Sequence, residues 1–238
     1  MRRDSLAADA GARFNCMEIQ VTKPLDPVSR LSQYATSIVS DALDELGIEG
    51  VLPGIRAQRI GQGRIAGLAL PVRLEPKVND PSAYRFGGGV GKPLEQVLQT
   101  MKDGDVVVMD VSGSDRAAAW GGLASRLAQR RGVRGTIMWG SCRDIDEIRA
   151  IGYPVWAVGV CPRRSRNDFT FGWINKPVII GEVEIAPRDF VLADESGVIS
   201  IPQSRLDEVL ELCARISEQE TRLEAQVLNN ALASWDEV

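Results

Sequence analysis

The chain has 238 residues, 44% of them hydrophobic and 25% charged, with Lys+Arg 28 against Asp+Glu 32 and no histidine. A globular chain of this size buries about 70–75% of its unfolded surface, and a net charge of -4 gives no general attraction to a nucleic-acid backbone. Without imidazole, Ser-His-Asp and Cys-His nucleophiles, His-ligated zinc and His proton relays are excluded, which leaves carboxylate, Arg, Lys, Cys and hydroxyl chemistry.

Residues 1–27 read as a mobile leader: Arg2 and Arg3 give the charge of a signal peptide, but no uninterrupted apolar stretch follows. No run reaches the ~20 apolar residues of a membrane span. Cys16, Cys142, Cys161 and Cys213 show no C-x-x-C spacing and are too sparse for a disulfide scaffold, so a reducing cytoplasm is expected.

Over residues 29–46, apolar side chains from Leu31 to Leu46 recur at spacings of three and four, with Gly47 as a stop, which predicts one amphipathic helix. Turn residues crowd residues 51–76 around short apolar stretches, predicting strands. A helix is expected over 94–101, then a buried strand over 105–111, where Val106, Val107, Val108 and Val111 make both faces apolar. Helix at 122–131, strand at 135–139, helix at 145–151 and strand at 155–158 continue an alternation that implies a mostly parallel sheet covered by helices. Beyond Pro162 the short apolar runs at 178–180, 183–185, 190–193 and 198–201 suggest a second, antiparallel layer. Residues 206–228 form a long amphipathic tail helix whose apolar face needs a partner. The organisation expected is a leader (1–27), an α/β domain (28–204) and a C-terminal helix (205–238) packed on the domain or on a neighbouring subunit.

Several stretches carry little chemistry. Residues 86–93 (Phe86-Gly87-Gly88-Gly89-Val90-Gly91-Lys92-Pro93) miss the P-loop pattern at both its first glycine and its hydroxyl position, and read as a loop. Lys176, among Trp173, Ile174 and Val178, is a weak Schiff-base candidate and better read as a solvated turn lysine. Cys142 and Cys161 lack a histidine to generate a thiolate. Arg163-Arg164-Ser165 with Arg166 is a short basic cluster, more often a solvated run than an anion site.

The candidate site joins two βα turns. The chain enters a helix at Trp120-Gly121-Gly122-Leu123-Ala124, where glycines allow close approach and the unpaired amides of Leu123 and Ala124, with the helix dipole, favour a carboxylate. The next strand ends at Ser141-Cys142-Arg143-Asp144, with Glu147 three residues later on the same first helical turn. In a parallel sheet both turns lie at the carboxyl ends of the strands, where ligands bind. Asp144 and Glu147 also read, with no ligand at all, as a capping box worth about 1 kcal/mol, and Arg143 as an ordinary ion-pair partner.

The run Gly122, twenty intervening residues, Arg143, Asp144, two residues, Glu147 resembles the signature of the RraA-like family, which contains the divalent-metal-dependent 4-hydroxy-4-methyl-2-oxoglutarate/oxaloacetate aldolases. Ser40-Asp41-Ala42-Leu43, Asp103-Gly104-Asp105-Val106-Val107-Val108, Arg131-Gly132-Val133-Arg134-Gly135, Gly152-Tyr153-Pro154-Val155 and Ala193-Asp194-Glu195-Ser196-Gly197-Val198 look like family blocks in family order. The resemblance spans roughly residues 30–220. Pro187-Arg188-Asp189 departs from the Pro-Gly-Asp turn usual in the family.

The resemblance implies a swivelling β/β/α fold with a sheet part parallel and part antiparallel. It implies that Asp144 ligates Mg²⁺ or Mn²⁺ directly and that Glu147 holds metal-bound waters. Gly121, Gly122, Leu123 and Ala124 then cradle the carboxylate of a 2-oxo acid, and Arg143 binds the keto-acid end. The activity implied is pyruvate release, by retro-aldol cleavage of a 4-hydroxy-2-oxo acid or decarboxylation of oxaloacetate, in a homotrimer or hexamer where an acid of the neighbour's tail helix, Glu218 with Glu220 in reserve, completes the site. No nucleic-acid or membrane partner is expected. The same family includes a regulator that inhibits ribonuclease E by binding it and lacks the final acid of the signature, the position of Glu147 here.

Overall fold

A computed structural model describes residues 25–77, 91–165 and 168–229. Nearly all of the expected leader, the glycine-rich stretch before Gly91, Arg166 and the last nine residues lie outside them. The helix expected over 29–46 is two helices, α1 (Pro27–Leu31) and α2 (Thr36–Glu45). Asp26 caps α1 by accepting from the Val28 and Ser29 amides, each at 3.1 Å. The N-cap of α2 is Ala35, which has no side-chain acceptor; Asp194 fills the role from across the fold, accepting from the Thr36 amide at 2.9 Å and hydroxyl at 2.7 Å. Both helices bury their apolar residues in one cluster, so the periodicity runs on through the break.

The chain continues as β1 (Arg56–Ala57), β2 (Ile65–Pro76), α3 (Gly91–Thr100), β3 (Asp105–Trp120), α4 (Gly122–Arg130), β4 (Gly135–Cys142), α5 (Ile145–Ile151) and β5 (Val155–Val160). It then forms β6 (Phe169–Ile174), β7 (Val178–Ile180), β8 (Val183–Ile185), β9 (Phe190–Ala193), β10 (Val198–Ile201) and α6 (Leu206–Leu228). Strands β2, β3, β4 and β5 are mutually parallel, with register pairs such as Val72↔Met109, Met109↔Met138 and Met138↔Ala157. The main sheet runs β1-β5-β4-β3-β2-β9-β10, and β6 also pairs with β2.

Two expectations need correction here. The antiparallel strands are not a separate layer: β9 and β10 extend the main sheet, and only the β7–β8 hairpin forms a sheet of its own. Phe190, Val191, Leu192 and Ala193 are all buried, so β9 has the two-sided apolar character of an interior strand, and Ile65↔Ala193 and Leu68↔Phe190 place it beside β2. Nor does β3 stop at Val111. It continues to Trp120 through register shifts after Asp110, Ser114 and Ala118, so Ser112, Gly113 and Ser114 open an irregular extension of the strand.

The layers are nonetheless β/β/α. On one face of the sheet, Val72, Val107, Met109 and Met138 pack with Val97, Ala124, Ala128 and Ile148 of α3, α4 and α5. On the other, Val106, Val108, Ile137 and Trp156 pack with Val178, Ile180, Val183 and Ile185 of the β7–β8 hairpin. A third cluster joins α1, α2 and α6 to β9 and β10. In α6 the buried residues end at Cys213, and Glu218 lies on the exposed remainder.

Arg188 sits in the β8–β9 turn at φ 73, a left-handed conformation that favours glycine. Its guanidinium pairs at 3.0 Å with the carboxylate of Asp105, whose side chain is only 4% exposed, and its amide donates to the Ala69 carbonyl at 3.0 Å. These contacts hold an arginine where the conformation alone disfavours it.

Candidate functional site

Parallel order places the ends of β3 and β4 side by side: Trp120 pairs with Cys142, and the Arg143 amide donates to the Trp120 carbonyl at 2.9 Å. The chain leaves β3 into α4 at Gly121 and leaves β4 into α5 at Asp144, so both helix starts emerge together. The Trp120 indole donates to Ser125 Oγ at 2.9 Å and that hydroxyl donates to the Gly121 carbonyl at 3.1 Å, which locks the first turn of α4.

Asp144 precedes α5 in the left-handed region, at φ 56 and ψ 41, and makes no side-chain capping bond to its own helix. The capping box that Asp144 and Glu147 could also have formed is therefore absent. Left-handed backbone at the cap position turns the carboxylate away from the amides of α5, and its Oδ2 instead accepts from the Gly122 amide, 22 residues back, at 3.1 Å. Arg143 Nε lies 3.3 Å from the same oxygen. Among the described residues nothing engages Asp144 Oδ1 or the Glu147 carboxylate. Both side chains of the Arg143–Asp144 pair remain about one-third exposed, at 32% and 31%.

The glycines leave room for this placement of the carboxylates. A Cβ on Gly121 would lie 2.6 Å from Asp144 Oδ2, and one on Gly122 would lie 2.7 Å from Glu147 Oε2. The carboxylates of α5 thus occupy the space that side chains on α4 would fill. In the first turn of α4, the Leu123 and Ala124 amides have no intrahelical acceptor; Ala124 is buried, while the Leu123 side chain is 72% exposed.

Residues Gly121, Gly122, Leu123, Ala124, Arg143, Asp144 and Glu147 are therefore brought together. Glu218 is not: it pairs with Arg222 along α6, which packs on α2. Among the described residues no group of three or more Cys, Asp or Glu side chains is arranged as a metal cage. Two carboxylates, one with an unengaged oxygen and one wholly unengaged, suit an ion that keeps most of its water, as Mg²⁺ does.

The minor candidates settle as structural features. Burial pushes the Cys142 thiol up to about 11, leaving it protonated at neutral pH. Lys176 is exposed, and Arg163 pairs with Asp168 at 2.9 Å. One polar group at the same edge went unread in the sequence. Asp110, 2% exposed, pairs with Arg73 and accepts from the Ser112 amide at 2.8 Å, while Arg73 donates to Ser112 Oγ at 2.9 Å. A lone Asp inside the apolar run 106–111 was the available signal. This network holds Ser112, at φ 59, where β3 begins its irregular extension toward Gly121.

A β/β/α sheet with a carboxylate–arginine pair set against two helix-start glycines defines a class of small α/β proteins with an open, histidine-free polar site. The particular family follows from comparison: the Aldolase/RraA model of the RraA-like family matches residues 36–200, and the chain belongs to that family. Protein DlpA of Legionella pneumophila is 30% identical over 193 residues, covering 81% of this chain and 30% of DlpA. A 4-hydroxy-4-methyl-2-oxoglutarate aldolase of Thermus thermophilus is 33% identical over 110 residues, 46% of this chain and 66% of that protein. The chain thus spans less than two thirds of either curated relative. Among solved structures, Streptomyces coelicolor RraAS2, described as an unusual member of the RNase ES inhibitor RraA family, superposes with a TM-score of 0.73 at 27% identity, covering 85% of this chain and 98% of that one.

Proposed function

We propose that the protein is a divalent-metal-dependent lyase that breaks a C–C bond of a 2-oxo acid and releases pyruvate, from a 4-hydroxy-4-methyl-2-oxoglutarate-type substrate, from oxaloacetate, or from both. The observation that carries this reading is Asp144: its carboxylate forgoes the cap of its own helix and lies against a glycine amide and an arginine, with one oxygen unengaged.

Asp144 and Glu147 would hold Mg²⁺ or Mn²⁺, and the bound ion supplies Lewis acidity toward the oxo acid's oxygens. The protein's own groups do the rest. The Leu123 and Ala124 amides, at the positive end of the α4 dipole, receive the substrate carboxylate. Gly121 and Gly122 let it approach the backbone. Arg143, kept beside Asp144, would neutralise the negative charge that develops on the oxo oxygen as the bond breaks, and a guanidinium does so without changing protonation.

The single chain leaves an acid–base group to be supplied. The exposed half of α6 presents Glu218, and a homotrimer or hexamer in which this helix reaches a neighbour's site would deliver it. The organisation proposed is accordingly a leader, an α/β domain over 28–204 and a tail helix that packs partly on the next subunit. Among the described residues no helix is long and apolar enough to cross a membrane; with Cys142, Cys161 and Cys213 all free, a cytoplasmic setting suits the protein. The second reading, a regulator that binds a ribonuclease, is favoured by the likeness to RraAS2; the presence of Glu147 supports the enzyme.

The test is pyruvate release by purified protein with Mg²⁺, read through lactate dehydrogenase and NADH. Metal-dependent turnover of either oxo acid is expected, and its absence with both overturns the enzyme reading.

A further inference from the structure

The parallel strands have a second edge, opposite to Asp144, where a cleft remains that the proposed reaction does not use. After β1 the chain passes Gln58, whose amide donates at 2.9 Å to the carbonyl of Val155, the first residue of β5. The β9–β10 turn arrives at the same edge, because Ala193 pairs with Ile65 at the start of β2. Between them lies a cleft of about 440 Å³ lined by Arg56, Ala57, Arg59, Ile60, Glu195 and Ser196, within the size range of small-molecule sites.

Its charges are unevenly satisfied. The Glu195 carboxylate is already engaged, accepting from the Gly61 amide and tying the two loops together. Among the described residues neither Arg56 nor Arg59 has an ion-pair partner, and the Arg59 Nε is buried with no hydrogen-bond partner. A buried guanidinium nitrogen left unpaired is costly, and the planar fork of arginine matches carboxylate and phosphate oxygens in pairs. The Ser196 hydroxyl adds a neutral donor. At the rim Ile60 is 94% exposed, an apolar surface that an inorganic ion would leave uncovered.

From the two unpaired guanidiniums in one cleft, we infer that this edge is a second binding site, for a small organic anion bearing carboxylate or phosphate groups, separate from the site at Asp144. It does not rest on the proposed lyase activity.

Calorimetric titration tests it, using citrate for the carboxylate arm and inorganic phosphate for the other, at constant ionic strength set with chloride. The protein is wild type, Arg59→Gln, Arg56→Gln and, to exclude the other site, Asp144→Ala. Saturable binding of at least one probe is expected, weakened about 10-fold or more in each arginine variant and unchanged in Asp144→Ala. The stronger probe identifies the oxyanion. No saturable binding of either probe overturns the inference, as does binding lost in Asp144→Ala or unaffected by both arginine substitutions. Arg56 is exposed, so Arg56→Gln keeps the test decisive should Arg59→Gln fail to fold.

Discussion

The Gly122 amide donates to Asp144 Oδ2 at 3.1 Å and so joins the first turn of α4 to the residue that starts α5. Two βα turns, far apart in sequence, become one surface through this bond. The Cβ of Gly122→Ala would crowd Glu147 Oε2, the far end of a flexible side chain, at 2.7 Å. That carboxylate can swing aside, so the fold should survive with stability within about 1 kcal/mol of wild type. Pyruvate release should fall on the order of 10-fold or more as Glu147 leaves its position. Steady-state kinetics beside thermal unfolding check both parts.

Asp144 separates function from stability. Its side chain does not cap α5, though it accepts from the Gly122 amide at the start of α4, and its backbone is left-handed, so Asp144→Gly should be more stable than Asp144→Ala by about 1 kcal/mol, and both should be inactive. Asp144→Asn, which tolerates the same conformation, should keep the fold and lose activity. Urea unfolding of the three variants reads the stability order; equal stability of Asp144→Gly and Asp144→Ala would contradict the left-handed strain at this position.

Local signals make part of this legible in the sequence. The helix over 145–151 is found at those bounds, because Asp146 and Glu147 open it, Arg149 lies in its last turn and Gly152 closes it at φ 70. The tail helix over 206–228 follows equally from its period. What stays hidden is set by distant partners: α1 and α2 part because Asp194, 158 residues from Thr36, caps the second helix, and β9 joins the main sheet through pairing with β2. At the site, residue types and spacing are readable, but the capping box and the gripped carboxylate share one sequence. Only the φ of Asp144 separates them.

Arg188 offers a test of strain. Removing its guanidinium leaves the buried Asp105 carboxylate with the Lys102 amide, at 2.8 Å, as its remaining hydrogen-bond donor. Arg188→Ala keeps the left-handed backbone and loses the ion pair, whereas Arg188→Gly loses the pair and relieves the backbone. The alanine variant should therefore be less stable than the glycine variant by about 1 kcal/mol. Equal stability in denaturant would show that the turn is unstrained.

Asp194 gives the acid limb of stability a definite sign. Burial pushes its carboxyl up, but the bonds from Thr36 and Ser196 and the charge of Arg64 outweigh that and hold it below the ordinary value of 3.8. A group lowered in the folded state contributes stability that is fully present above its unfolded value and lost as pH falls through the folded one. Asp194→Asn should therefore destabilise the protein at neutral pH and flatten the fall in stability below about pH 4. Thermal melts from pH 3 to 7 check this, and parallel curves for variant and wild type would contradict it.

The central claim, that the Asp144 carboxylate holds the divalent ion used in bond cleavage, is met most directly by titrating Mn²⁺ into wild-type and Asp144→Asn protein, following the paramagnetic signal of free Mn²⁺, with pyruvate release measured on the same samples. Saturable binding in the wild type, lost with turnover in Asp144→Asn, is the result expected. Wild-type Mn²⁺ affinity and full turnover in the folded Asp144→Asn protein would contradict it.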